Sequence, residues 1–383
     1  MTGQPPRPPP SATIAAILTP LAQGGIAILE VVGPRAFELI RQVFQPRTPA
    51  PLEPDARRLL YGHIVDAGEV VDEVLVRLVP ASEERRVEVN CHGGVVAVQR
   101  VLECFVARGA VAAEAEALAE RRARSRIEAE ATLAVVRAPT PLGVETLLDQ
   151  LNGALERALR SLPWDNPEAM AAALRGLLAT ERLGCALWQP PAVAITGPAN
   201  SGKSTLFNAL AREERMIVSP RPGTTRDAVS AEVAIDGLPV WLTDTAGERE
   251  PGSAIEAEAI ARGRSAAAGA GLVLLLLDGS APHPSPIPPA GAVPRLVVLN
   301  KADLGLAPWA RSVADPIVIS AVTGQGLDEL RHRIVSALVS EATYSQGRPV
   351  VFTDRQALLL DRALGATQAG LVDDARRLVE ELF

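Results

Sequence analysis

The sequence predicts a multidomain chain of mixed class, with an N-terminal α+β domain followed by a helical region into which an α/β domain is inserted. Three observations predict it. Residues 13 to 109 alternate short apolar runs with two helical stretches. Residues 110 to 188 and 354 to 383 carry an Ala/Leu/Glu/Arg-rich helical period, and residues 192 to 341 alternate strands with helices as a parallel sheet requires. A chain of 383 residues, 48% of them hydrophobic, holds enough apolar material for two or three separately cored domains.

Met1 to Ser11 is rich in proline and polar residues and lacks the basic-then-apolar order of a secretory signal, so residues 1–12 read as a disordered leader. In the N-terminal domain, 13–109, the strand-like runs are Thr13–Leu18, Ile26–Val32, Val70–Val79 and Val87–Cys91. The helical stretches there are Arg35–Phe44 and Val95–Ala107, with Gly24-Gly25 and Gly93-Gly94 as tight turns and Pro46–Pro54 as a loop. The first part of the helical domain, 110–189, is broken at Pro139-Thr140-Pro141 and at Pro163, and Pro190-Pro191 closes it. The α/β domain occupies 190–341, with a solvated loop at Ala281–Pro294, and the helical domain resumes over 342–383. No apolar run is long enough to cross a bilayer, so no membrane partner is expected. Cys91, Cys104 and Cys185 are too scattered for a disulfide framework or a zinc site, and a cytoplasmic protein is expected. The net charge of -7 argues against a general polyanion surface, which excludes DNA and confines any RNA contact to a local patch. Arg121, Arg122, Arg124 and Arg126 offer one such patch, although a solvated helix face paired with Glu120 and Glu128 is the plainer reading.

The α/β domain carries its chemistry in order. The strand Val193–Thr196 feeds Gly197-Pro-Ala-Asn-Ser-Gly-Lys-Ser204, a GxxxxGK[ST] loop, and then the helix Thr205–Arg212. Such a loop turns the backbone N–H groups of Asn200, Ser201 and Gly202 toward phosphates, and the helix N-terminus adds positive potential. Lys203 then reaches the β- and γ-phosphates, and the Ser204 hydroxyl ligates Mg²⁺ beside Thr205. After the strand Pro239–Thr243 comes Asp244-Thr245-Ala246-Gly247, a DxxG in which the aspartate serves the magnesium shell and the glycine N–H the γ-phosphate. Between the two, Gly223-Thr224-Thr225-Arg-Asp227 offers Thr225 as a second magnesium ligand. The strand Leu296–Leu299 ends in Asn300-Lys301-Ala302-Asp303, and this tetrapeptide selects the base. A carboxylate at Asp303 accepts from guanine N1–H and its exocyclic amine, whereas adenine offers no such donor pair. The stem of Lys301 can lie along the base. After Ile317–Ile319, the backbone of Ser320-Ala321 can meet guanine O6. This is a GTP site.

Only two of the 38 basic residues are lysine, Lys203 and Lys301, and both stand inside these motifs. Random placement would do that roughly one time in 700, so an arginine-rich chain has kept lysine where a planar fork cannot replace a compact ammonium.

On its Gly197–Ser204, Gly223–Asp227 and Asp244–Gly247 segments, the chain resembles the TrmE–Era–EngA group of bacterial GTPases. Thr13-Ile-Ala-Ala-Ile-Leu-Thr-Pro20, Gly24-Gly-Ile-Ala-Ile-Leu29, Gly33-Pro-Arg-Ala36 and Cys91-His-Gly-Gly94 narrow the resemblance to the MnmE/TrmE family of tRNA modification GTPases. The resemblance implies a P-loop GTPase domain inserted in the helical domain and a dimerising, folate-binding N-terminal domain. It further implies a homodimer, a flavin-dependent MnmG/GidA-type partner and tRNA. It also implies K⁺-stimulated hydrolysis, with the cation at Asn200 and at the loop oxygens of Ser219, Arg221 and Thr224, in place of an arginine finger. Glu256 falls on the family's water-orienting glutamate, so Glu256, Lys203 and Thr225 are the expected catalytic residues.

Other positions depart from the family. Glu30 stands where the family has a folate-binding arginine, while Glu88 preserves a second folate contact. No lysine survives in the segment entering the helical domain, and no cysteine follows Cys185, where the family ends in a Cys-Ile-Gly-Lys-like tail. Folate binding and one-carbon chemistry are therefore expected to be weak or lost. Glu248, directly after the DxxG, has no assigned role. Two alternatives to tRNA modification stay open at this point: an Era-like GTP-dependent switch on ribosomal or other RNA, and a regulatory G protein.

Overall fold

A computed structural model describes residues 9, 11–19, 25–49, 51–53, 58–79, 85–213, 229–244, 270–284, 287, 293–339 and 345–383. The chain divides into two compact units, Met1–Glu130 and Ala131–Phe383.

The first unit contains β1 (Ile14–Ile17), β2 (Ile26–Val32), α1 (Ala36–Val43), β3 (Phe44–Pro46), β4 (Leu60–Asp66), β5 (Glu69–Val79), β6 (Arg86–His92), α2 (Val95–Val106), β7 (Val111–Ala112) and α3 (Ala115–Arg122). The strands form one sheet in the order β3-β4-β5-β6-β2-β1-β7, antiparallel except for the β1–β7 pair. Alternation sorts the side chains by face. Leu29, Val31, Val76, Leu78, Val87 and Val89 bury against Leu39 and Ile40 of α1 and Val101 and Phe105 of α2. On the other face, Leu118 of α3 packs against Ile14, Ala16 and Val32.

The strand β4 is not expected from the apolar pattern. Its run holds Gly62 and His63, which break the apolar signal, yet it pairs with β5 from Leu60 opposite Val76 to Asp66 opposite Glu69. The hairpin turns on Ala67 and Gly68, both at positive φ (49° and 89°), as the strand twist favours. Gly62 is required where it stands, because a Cβ there would meet the Gln45 carbonyl oxygen at 2.2 Å. Phe44, expected at the end of a helix, instead begins β3.

The helix α4 (Arg126–Arg137) contains the boundary, and after it run α5 (Pro141–Leu151), α6 (Ala154–Arg160), α7 (Pro167–Leu178) and α8 (Glu181–Ala186). The expected breaks fall between them. Thr140 caps α5 by accepting from the Gly143 N–H at 3.0 Å, and Asn166 caps α7 by accepting from Ala169, each with proline in the first turn. The C-terminal helices, Asp354–Gln368 and Val372–Glu380, return to this layer. Buried Gln150 accepts from the Val350 N–H and donates to the Arg348 carbonyl, and buried Thr180 accepts from the Val351 N–H.

Between these helical stretches lies a six-stranded sheet in the order β13-β12-β11-β8-β10-β9. It comprises β8 (Ala192–Thr196), β9 (Val229–Ile235), β10 (Leu238–Asp244), β11 (Leu272–Asp278), β12 (Arg295–Asn300) and β13 (Ile317–Val318). Five strands are parallel, and β9 runs antiparallel to β10 at one edge, joined by a tight turn at Asp236-Gly237. The helix α9 (Lys203–Glu213) follows β8, and the helix Leu327–Val339 follows β13. Among the described residues no helix is long and apolar enough to cross a membrane.

Candidate functional site

The C-terminal ends of β8, β10, β11 and β12 lie side by side, since Asp244 is in register with Ile195 and Asp278 with Asn300. Ligands of open parallel sheets bind at this edge. The loop leaving β8 is compressed against its neighbours. A Cβ on Gly197 would lie 2.1 Å from the Leu276 carbonyl oxygen, and one on Gly202 would lie 2.3 Å from Asn300 Nδ2. Asn200 adopts the left-handed conformation at φ 62°, which asparagine tolerates better than most side chains. Helix α9 then begins at Lys203, placing Ser204 and the exposed Thr205 in its first turn, where the helix dipole favours anions. The buried Lys203 ammonium donates to the Gly197 and Pro198 carbonyls at 3.0 and 2.9 Å, curled back over the loop. Ser201 is buried and donates to the Pro198 carbonyl.

Ser204 Oγ donates to Asp244 Oδ2 at 2.7 Å, although 40 residues separate them. The second oxygen, Asp244 Oδ1, is buried with no hydrogen-bond partner among the described residues. A hydroxyl and a carboxylate brought together with a buried acceptor left over suit a hard, oxygen-seeking cation such as Mg²⁺.

The base-selecting segment is clamped from both sides. Asn300 Nδ2 donates to the Ser201 carbonyl at 2.8 Å, while Asn300 Oδ1 accepts from the Ala321 N–H at 3.0 Å, so one buried amide ties the phosphate loop to the Ser320-Ala321 loop. The Ser320 N–H donates to the Gln325 carbonyl. Both backbone donors expected near guanine O6 are thus engaged within the chain. Lys301 stands at φ 67°, and its ammonium meets Asp278 Oδ2 at 2.6 Å. Asp303 is exposed, in the short 3-10 turn Ala302–Leu304 that follows.

Asp278 escaped the sequence reading. It follows six apolar residues, Leu272–Leu277, and its cue was only its place at the end of a strand on the ligand-facing edge. The remaining expected site residues, Ser219, Arg221, Thr224, Thr225, Thr245, Ala246, Gly247 and Glu256, with Glu248, lie outside the described residues.

In the first unit, Glu30 and Glu88 are cross-strand neighbours, and Glu88 is in turn opposite Arg77. Like charges so placed repel, and three arginines answer them. Arg77 bonds Glu88 at 2.5 Å, Arg122 of α3 reaches Glu30 at 2.9 Å, and Arg86 Nε lies 3.3 Å from Glu30 Oε1. Arg122 is therefore held by a sheet residue rather than by its helix neighbours, whereas Arg124 does pair with Glu128. Glu30 is only 3% exposed. Burial pushes its carboxyl up, and Arg122 and Arg86 pull it only part of the way back. A raised acid pKa means the folded chain holds the proton longer than the unfolded one. This contribution to stability is full below the ordinary carboxylate value and is lost as pH rises through the folded value. Arg122→Ala is expected to cost about 1–3 kcal/mol near neutral pH, the half-exposed guanidinium tempering the usual penalty for stranding a buried charge. The loss should shrink on acidification and be partly recovered by Glu30→Gln. Thermal melting of the variants across pH checks it; a loss that ignores pH would refute the assignment.

Two family models match the chain. Residues 13–123 match the GTP-binding protein TrmE N-terminus, and residues 192–301 match the 50S ribosome-binding GTPase family. The tRNA modification GTPase MnmE of Chloroflexus aurantiacus is 37% identical over 372 residues, covering 85% of this chain and 82% of that one. That of Lactiplantibacillus plantarum is 32% identical over 407 residues, covering 93% and 88%. Among solved structures, Aquifex aeolicus Era bound to GDP and aluminium fluoride is 28% identical and covers 39% of this chain and 56% of that one, with a TM-score of 0.31. Matched over both of its characteristic domains and most of its length, the chain belongs to the MnmE family of tRNA modification GTPases.

Proposed function

We propose that this protein binds and hydrolyses GTP with Mg²⁺ and that the resulting switch serves tRNA modification, as the names of its relatives state for them. The observation that carries the reading is the contact between Ser204 and Asp244, with a buried acceptor left over beside the Lys203 loop. When GTP arrives, Lys203 exchanges the Gly197 and Pro198 carbonyls for phosphate oxygens, and the loop N–H groups and the α9 terminus hold the negative charge in place. Ser204 and Thr225 would hold Mg²⁺, which would supply charge neutralisation on the phosphates. Glu256 orients the attacking water. The assembly is a cytoplasmic homodimer acting on tRNA with a flavin-dependent MnmG/GidA-type partner.

Asn200, with Ser219, Arg221 and Thr224, would hold K⁺, which would support the transition-state charge that no arginine finger supplies. Asn200 is exposed in the loop that leaves β8, accessible to such an ion. Hydrolysis is expected to rise severalfold when K⁺ replaces Na⁺ at constant ionic strength, and Asn200→Ala to erase that difference while Mg²⁺-dependent GDP binding persists. Phosphate-release assays in the two salts measure this; equal rates would remove the cation from the mechanism.

A further inference from the structure

The only two lysines in the chain are both in the nucleotide site, and one of them has a partner that the motifs do not name. Asp278 closes β11 directly beside the Asn300 end of β12, and its Oδ2 receives the Lys301 ammonium at 2.6 Å. The other carboxylate oxygen, Oδ1, accepts from the Ser280 N–H at 3.0 Å and from the Ser280 hydroxyl at 2.7 Å. Burial pushes the Asp278 carboxyl up, but the bonds from Lys301 and Ser280 outweigh it and hold the group below the ordinary range. It is therefore a fixed anion whose orientation Ser280 sets.

The surrounding backbone leaves little slack. The Gly279 N–H donates to the Asn300 carbonyl and the Ala307 N–H to the Gly279 carbonyl. A Cβ on Gly279 would lie 2.7 Å from a Leu306 methyl and 3.1 Å from the Asn300 oxygen. Lys301 itself is held at φ 67°, a conformation unfavourable for a lysine that persists only where the surroundings enforce it. An anchored Nζ and an anchored Cα together draw the lysine stem out between two fixed points. A stem so drawn presents an apolar edge to a planar base, and an arginine could not close the same distance with a compact ammonium.

We propose that Asp278 is a positioning residue for guanine-nucleotide recognition, setting the course of the Lys301 side chain that forms one wall of the base slot. This rests on the GTP-site reading above, and it acts at the base end of the nucleotide, away from the phosphates.

The test uses the full chain, with a fluorescent GDP analogue and unlabelled GDP as probes and GTP turnover as a second readout. Asp278→Ala is expected to weaken GDP about ten- to fiftyfold and to raise KM for GTP by a similar factor, with kcat at saturating GTP changed by less than about twofold. Asp278→Asn keeps an acceptor for the ammonium and is expected to recover most of the affinity. The decisive arm is the pair of variants in one chain. Once Lys301→Ala has removed the ammonium, adding Asp278→Ala should cost less than about twofold more, since its effect runs through Lys301. Independent, multiplying effects would show that Asp278 merely supports the local fold and would overturn the proposal. So would wild-type affinity in Asp278→Ala. Melting curves of the nucleotide-free variants identify any that fail to fold. Failure of the wild-type chain to bind GDP at all would instead refute the GTP-site reading itself.

Discussion

Asp303→Asn is expected to weaken GTP and GDP binding by about a hundredfold or more and to admit xanthosine nucleotides, whose ring carbonyl faces the new amide as a donor-acceptor match. The wild-type chain is expected to bind GTP and GDP at least about a hundredfold tighter than ATP, because a carboxylate facing adenine has lost its water without gaining two N–H donors. The geometry makes the substitution specific. Asp303 is exposed and carries its carboxyl on the turn just beyond the clamped Asn300-Lys301 pair, so the change alters one recognition edge without removing a support from the sheet. Asn300→Ala, by contrast, would sever the phosphate loop from the Ser320-Ala321 loop and confound selectivity with collapse of the site. Calorimetric titration with GDP, ATP and xanthosine diphosphate measures the change. Equal affinity of the wild-type chain for adenine and guanine nucleotides would refute the base assignment.

The parts of this site that could be read in the sequence are those where one short segment carries both the strand and the chemistry. Gly197–Ser204, Asp244 and Asn300–Asp303 each follow directly on an apolar run, so strand, turn and functional group were read together, and the structure brings them to one edge of one sheet. The hydrogen bond from Ser204 to Asp244 has this origin. What escaped the sequence depends on partners remote in the chain. Asp278 has meaning only because β11 lies next to β12 and Lys301 extends back to it from 23 residues away. Arg122 was read with its own helix face, where Arg124 does find Glu128, but it spans 92 residues to a buried Glu30. Local charge patterning reports neighbours four residues away and is silent about a helix laid across a sheet. The strand β4 failed for a different reason. Gly62 is dictated by close approach to β3, a tertiary contact that leaves no trace in the apolar period of its own run.

The second large effect concerns the one-carbon ligand. Binding of 5-formyl-tetrahydrofolate is expected to be weaker by several orders of magnitude than in a family member that has arginine where this chain has Glu30. From sequence, the expectation rests on a carboxylate meeting an anionic ligand. The structure gives it a different physical basis. Glu30 is buried, with Arg122 and Arg86 gathered around it, and Glu88, the second expected folate contact, is taken by Arg77. The arginines on this face already have carboxylates, supplied by the chain itself. An incoming anion would have to displace Glu30 or Glu88 from these pairs, losing charge-assisted bonds each worth on the order of 1.5–3 kcal/mol before gaining any. Displacement would also strand a carboxylate in a site that has little water with which to solvate it. GTP turnover should be unaffected, since none of these residues belongs to the nucleotide site. Calorimetric titration of the purified chain tests the ligand directly, and Glu30→Arg is the informative variant. It restores the family's cation and takes the internal carboxylate away from Arg122 and Arg86, so it should raise folate affinity if Glu30 is the obstacle, provided the three neighbouring arginines do not unfold the face. Low-micromolar binding by the wild-type chain would show that other residues have rebuilt the pocket and that the internal ion pairs yield to the ligand.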